Sequence, residues 1–171
     1  MILTTAQVVG FARQVGFSGP NLPIAVAIAH AESGFNSAAI GDVNLTEPGE
    51  KSVGLWQINY RPSRDAGVDY RNPSLTPEPL FNARSAYIIS SNGTRFTPWS
   101  TFTSGAYLQY MQDAIDAINS LNGGKMPTLS FYPMPDGRGY YIFASDGAVY
   151  AFGSAQYEGG LKWNGTAWVA R

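Results

Sequence analysis

The sequence predicts an α+β protein: a mainly helical domain over residues 1–122, a linker at 123–128 and a small β module over 129–171. Three observations carry this. Apolar residues recur at helical spacing through the first two thirds of the chain, each run ending at a glycine or Asn-Gly stop. The stretch "NGGKMPT" then replaces that period with turn formers. Beyond it fall ten of the 23 aromatic residues, punctuated by Asp136-Gly137, Asp146-Gly147 and Asn164-Gly165.

Each element follows from local signals. Thr4 or Thr5 caps a first helix with Val8, Phe11, Ala12 and Val15 on one face, and Gly16 closes it. Asn21 is the expected cap of the second, with Pro23 in its first turn. From Ile24 to Ala31 that helix is apolar on nearly every side, the mark of a helix buried all round. Residues 40–60 lose the helical period and read as loops with a short hairpin. Thr76 is the expected cap of a further helix, with Pro77 at its first position and Leu75 stapled onto Leu80, running to Asn92-Gly93. A last helix is expected from about Ser104, with Tyr107, Met111, Ala114, Ile118 and Leu121 on its stripe, ending before Gly123-Gly124. In the C-terminal module, "YYIFASDGAVYAF" and "LKWNGTAWVA" read as two hairpins on type I′ turns, which need positive φ at both central residues. So small a β unit is marginal alone and is expected to pack on the helical domain or on a partner.

Composition narrows the function classes. Eleven basic and twelve acidic residues give a net charge of −1, so no positive field exists to hold nucleic acid or an anionic membrane. There is no cysteine, and His30 is the single histidine, which removes thiolate nucleophiles and most zinc centres. No metal or other cofactor is expected. The N-terminal stretch lacks a basic segment followed by an apolar core, and no apolar run approaches membrane-spanning length. A soluble chain with no export signal is the expectation.

One residue stands against its surroundings. "AHAESGFN" places Glu32 on the stripe of the apolar second helix, three and four residues after Ala29 and Ile28, just before Gly34. Burial disfavours a charged carboxyl, and a helix C-terminus presents the negative end of the macrodipole, so both effects raise its pKa. An acid held protonated near neutrality suits the breaking of an acetal, where the leaving oxygen must receive a proton. Periodicity alone leaves a plainer reading open, in which Glu32 sits on a solvated last turn. Glu47 and Glu50, in a Pro-Gly loop, are expected to be solvated.

"AIAHAESGFN", then "AIGD", then "SVGLWQIN" twenty residues beyond Glu32, resemble the lysozyme-like superfamily, specifically the soluble lytic transglycosylases and goose-type lysozymes, and particularly their versions in phage lysins and tail proteins. The resemblance spans roughly residues 5–121 and agrees with the helical reading. It implies cleavage of the MurNAc–GlcNAc β-1,4 bond of peptidoglycan, with Glu32 as general acid. It also implies that Gly54, Leu55, Trp56, Gln57 and Asn59 line the floor of a substrate cleft, with Ser33, Ser52 and Tyr107 beside them. Goose-type lysozymes carry acids near the positions of Asp42 and Asn59; Asp42 fits as a second catalytic carboxylate, whereas Asn59 departs. That departure leaves open whether water or the substrate's own N-acetyl group completes the reaction. The expected partners are peptidoglycan glycan strands and, for a virion component, other phage tail proteins. The expected location is a phage tail, or the host cytoplasm before release to the wall.

Alternatives stand beside several of these residues. Asp42 reads equally as a loop residue in an Asx turn, Trp56 and Tyr107 as core, and Ser52 as a wetted turn residue. His30 lies about 200° around the helix from Glu32 and reads as a packing or surface residue. The C-terminal module resembles, more loosely, a short repeat of cell-envelope proteins of actinobacteria and their phages, here "GYYIFASDGAVYAFGSA". Its aromatics either bind wall polymer or close a small core. Two rival classes remain: a binding or structural virion protein that kept the fold without turnover, and a serine hydrolase, for which no Gly-x-Ser-x-Gly elbow exists.

Overall fold

A computed structural model describes residues 1–123, 128–157, 159, 161–163 and 168–170, the last two stretches by backbone alone. The chain divides into two compact units, Met1–Ala114 and Ile115–Arg171. The architecture is α+β. Six α-helices and eight short strands are present among the described residues.

In the first unit, helix α1 spans Thr5–Val15. The Thr4 hydroxyl accepts from the Gln7 N–H, and the Gln7 side chain accepts from the Thr4 N–H, a closed capping box. Gly16, at φ +116°, ends the helix while Phe17 N–H reaches back to the Ala12 carbonyl. Helix α2, Asn21–Ser33, starts at Asn21 itself, without a side-chain cap; the residue before it, Pro20, is already helical in φ and ψ. Leu22 to Ala29 are buried without a break, so α2 is the axis of the unit, with α1 against it on one side and the single-turn segment Ala106–Tyr110 on another. Gly34, at φ +57°, stops α2 one residue past Ser33.

The segment at 40–60 forms three strands, one more than a hairpin requires. Strands β1 (Ile40–Gly41), β2 (Lys51–Val53) and β3 (Ile58–Tyr60) make an antiparallel sheet in that order. The register sets Gly41 opposite Ser52 and Ser52 opposite Asn59, and residues so paired share a face. Gly54–Gln57 is the connection between β2 and β3, with Gly54 at φ +82°.

After α3 (Pro62–Asp65) comes α4 (Pro79–Ile89). Its start corrects the expected Thr76 cap: the helix begins at the second proline, and the Glu78 carboxylate caps it by accepting from the Phe81 N–H at 2.6 Å. Proline excludes the α region for the residue before it, and Glu78 is extended at φ −75°, ψ 123°, so Pro77 cannot open the helix. Leu75, expected to staple onto Leu80, is exposed instead. A short α5 (Ser100–Thr103) and the segment Ala106–Tyr110 precede α6 (Met111–Asn122). The last helix thus begins seven residues later than Ser104 suggests, after Gly105 at φ +81°. Ile115 is buried in it, and Leu121 is exposed.

In the second unit β4 (Leu129–Pro133), β5 (Gly139–Ala144) and β6 (Val149–Gly153) form an antiparallel meander; β7 (Leu161–Trp163) pairs with β8 (Trp168–Ala170). Both expected hairpins exist as strand pairs, and β4 adds a strand to the first. The side chain of Asn119 closes two hydrogen bonds with the backbone of Leu129, which ties the end of α6 to β4. The turns are not type I′. Only the glycine of Asp136-Gly137 and of Asp146-Gly147 has positive φ. Each aspartate instead accepts from the N–H two residues on, Arg138 or Ala148, so the carboxylate organises a longer loop and only glycine adopts the left-handed region. The Asn164-Gly165 turn and most of the 123–128 linker lie outside the described residues.

Candidate functional site

Glu32 sits on the last turn of α2 at the wall of a cavity of about 500 Å³ in the first unit. Its carboxyl is half-buried. Burial, first, pushes its pKa up, and the charge of Asp42 pushes in the same direction. The hydroxyl and backbone N–H of Thr101 oppose them by favouring the charged form; the hydroxyl donates to Glu32 Oε1 at 2.6 Å. The net shift is upward.

Asp42 stands one residue past β1, at φ +51°, and lines the same cavity. Its Oδ2 accepts from the Ser52 hydroxyl at 2.6 Å, and Ser52 Oγ in turn accepts from Asn59 Nδ2 at 3.3 Å. Sheet register produces this chain, because Gly41, Ser52 and Asn59 lie side by side across β1, β2 and β3. Asn59 Nδ2 also donates to Glu50 Oε1 at 3.1 Å, which holds this amide within the floor.

Glu50 corrects the expectation of a solvated loop acid: it is 1% exposed. Thr46 gives it both a hydroxyl and an N–H, Arg61 Nε approaches at 2.7 Å, and Asn59 adds a further donor. These bonds outweigh desolvation and bring its pKa down to about 2. Arg61, Arg64 and Arg71 line this end of the cavity. Arg64 and Arg71 share the buried carboxylate of Asp65, whose pKa is lowered by them and by the Arg61 N–H despite its burial.

The Gly-Leu-x-Gln turn is built as scaffold. Gly54 is the only residue type that fits there: at φ +82° a Cβ would meet Asn82 Nδ2 and lie 2.6 Å from the Thr76 carbonyl. Asn82 reaches into the turn, donating to the carbonyls of Val53 and Thr76 and accepting from Trp56 N–H at 2.9 Å. Leu55 and Trp56 are fully buried, and Trp56 Nε1 donates to the Ala25 carbonyl of α2 at 2.8 Å. Trp99 Nε1 donates to the Trp56 carbonyl at 2.7 Å, and Trp99 itself lines the cavity. The turn therefore locks the sheet to α2 and to the segment that carries Thr101.

Of the residues singled out in the sequence, Glu32, Asp42, Ser52, Gln57 and Asn59 converge on the cavity. Gln57, at φ +44°, donates to the carbonyls of Gly54 and Ala39 and turns Oε1 toward Gly41. The structure places Ser33, Gly54, Leu55, Trp56 and Tyr107 behind the cavity wall. Ser33 Oγ contacts the carbonyls of Ala29 and Leu55, and Tyr107, 5% exposed, stacks on Phe102 at 5.0 Å. His30 packs between Phe35 and Tyr110, at 4.4 and 4.0 Å between ring centres. Sequence reasoning missed Thr101, Trp99, Glu50 and the three arginines. The arginines left a signal in "YRPSRDAGVDYR"; Thr101, 69 residues from Glu32, left none. Among the described residues no group of three or more His, Asp or Glu side chains is placed to hold a metal ion.

The chain matches a family model described as a lysozyme-like domain over residues 9–101. That span begins within α1 and ends at Thr101, so it encloses Glu32, Asp42, the sheet and the Gly54–Gln57 turn. No curated protein and no solved structure matches the chain.

Proposed function

The chain belongs to the lysozyme-like domain family, and from that premise we propose that it cleaves the MurNAc–GlcNAc β-1,4 bond of peptidoglycan with Glu32 as general acid. One observation carries the reading: a carboxyl with its proton affinity raised by burial, facing Asp42 across a cavity lined by polar side chains.

Cleavage of a glycosidic bond needs a proton on the leaving oxygen as positive charge grows on the sugar carbon. Glu32 gives that proton, and the Thr101 hydroxyl, which donates to Oε1, stabilises the carboxylate left behind. Asp42, held by the Ser52 hydroxyl, faces the developing positive charge. Two endings are open to this arrangement. Asp42 draws a proton from an attacking water, or the substrate's N-acetyl group assists and the ring closes as an anhydro sugar. Mass spectrometry of the released muropeptides separates them, since an anhydro end is lighter by one water.

The phage assignment rests on the likeness of the Glu-Ser and Gly-Leu-x-Gln segments to phage lysins and tail proteins. In this reading the chain meets the host wall either from the tail at entry or from the cytoplasm at lysis. Its presence in, or absence from, purified virions distinguishes the two.

Glu32→Gln tests the central claim. It is expected to lose at least ~10²-fold in the rate of clearing purified walls with folding unchanged. A variant that clears walls at the normal rate overturns the reading and leaves a wall-binding or structural protein on the same fold.

A further inference from the structure

The β4–β5–β6 sheet carries aromatic side chains on both faces. An antiparallel sheet with one buried face ordinarily alternates apolar-in with polar-out. Here the buried face holds Tyr140 and Ile142, 2% and 0% exposed, with the half-buried Phe131 and Phe152 packed on Tyr140 at 5.2 and 4.8 Å between ring centres. The register sets Tyr132 opposite Tyr141 and Ser130 opposite Phe143, which puts these four on the other face together. Tyr132 is 56% exposed. It meets Phe143 edge to face at 5.1 Å, and Tyr141 lies 5.8 Å from Phe143, its hydroxyl donating to the Gln156 carbonyl at 2.8 Å.

These rings border a cavity of about 640 Å³, rimmed by the hydroxyls of Thr128, Ser130 and Ser145. None of the described residues that line it is charged. Among the described residues the core of the sheet lies on its reverse, so packing into that core does not account for these three adjacent rings. The ligand chemistry is legible in the lining. Flat rings take the C–H face of a sugar, and a hydroxyl rim takes its hydroxyl and N-acetyl edges. The uncharged lining among the described residues disfavours nucleic acid, anionic lipid and ionic peptide alike.

We propose that this face is a second glycan-binding site, separate from the Glu32 cavity, which seats a few N-acetylhexosamine units of a neutral strand on Tyr132 and Phe143. That the strand is wall glycan rests on the proposed function; the platform chemistry is independent of it. The test is co-sedimentation of the full chain with purified sacculi, with Glu32→Gln in every variant to stop digestion. Tyr132→Ala is expected to weaken binding at least fivefold, whereas Tyr132→Phe, which keeps the ring, stays within twofold of the parent. Equal binding by Tyr132→Ala overturns the proposal, and so does an equal loss in both variants, which would point to the hydroxyl or the fold instead of stacking. Thermal melting of each variant confirms that the module is intact. Tyr132→Ala placed alone in the active chain is expected to cleave a short soluble glycan at the normal rate. Failure of the sheet site and failure of the Glu32 reading therefore show separately.

Discussion

Glu32 is held between opposing influences, and each can be moved by one substitution. Removing the Thr101 hydroxyl takes away a donor that favours the carboxylate, so Thr101→Val raises the pKa of Glu32 further. A general acid works protonated; the alkaline limb of the pH–rate profile is therefore expected to shift to higher pH. Asp42→Asn removes a charge that raises the pKa, and the same limb is expected to shift to lower pH, whatever becomes of the rate at its maximum. A stability consequence follows at the same residue. An acid whose folded pKa lies above its unfolded one contributes stability below the unfolded value and loses it as pH rises through the folded value. At neutral pH Glu32 therefore costs the fold stability, and Glu32→Gln, which still accepts from Thr101, is expected to melt at a higher temperature than the parent at pH 7. Calorimetry of the two proteins at that pH checks it. Little of this balance was legible in advance. The apolar run before Glu32 announced its burial, while Thr101 reaches it only through the folded chain.

At the scale of elements, the Gly54–Gln57 turn joins parts far apart in sequence. Asn82 of α4 satisfies two backbone groups of the turn and its flank and the carbonyl of Thr76, and the turn's Trp56 bonds to α2 and to Trp99. Gly54→Ala forces a Cβ against Asn82 and the Thr76 carbonyl at a left-handed φ, and a cost of about 2 kcal/mol or more is expected. Chemical denaturation measures it. Because the turn also sets β3, and with it Asn59, activity is expected to fall along with stability. The glycine was visible in the motif; its reason was not, since Asn82 carries no mark that assigns it to a turn 28 residues earlier. The start of α4 failed for a more local reason. Two prolines two residues apart each signal a first helical position, and only the restriction on Glu78 decides between them.

For the whole molecule, the buried acids set the response to pH. Glu50 and Asp65 are both inaccessible to solvent, and both have pKa values lowered in the fold. Such groups contribute stability above their unfolded pKa and lose it as pH falls through the folded value. The melting temperature is therefore expected to hold down to about the usual carboxylate range and to drop as pH approaches about 2, where Glu50 takes its proton. Glu50→Gln is expected to flatten that drop while lowering stability at pH 7, because Arg61 is left without its carboxylate. Thermal scans from neutral pH to pH 2 on both proteins test this.

The sequence by itself determined what depends on neighbours along the chain: where helix α1 starts and stops, where α2 stops, that α2 is buried through most of its length, that Glu32 ends an apolar run, and that the aromatic-rich C-terminal segment forms strands. Local propensity, capping and periodicity act over a few residues, and so they can be read there. Tertiary structure decided everything that needs two distant segments to meet. Register placed Asp42, Ser52 and Asn59 in one chain of hydrogen bonds; convergence of Thr46, Asn59 and Arg61 turned a loop glutamate into a buried anion; and the arrival of Thr101 gave the Glu32 carboxyl a hydroxyl donor from 69 residues away. A side chain's solvation and charge belong to its surroundings in space, and those exist only once the chain has closed on itself.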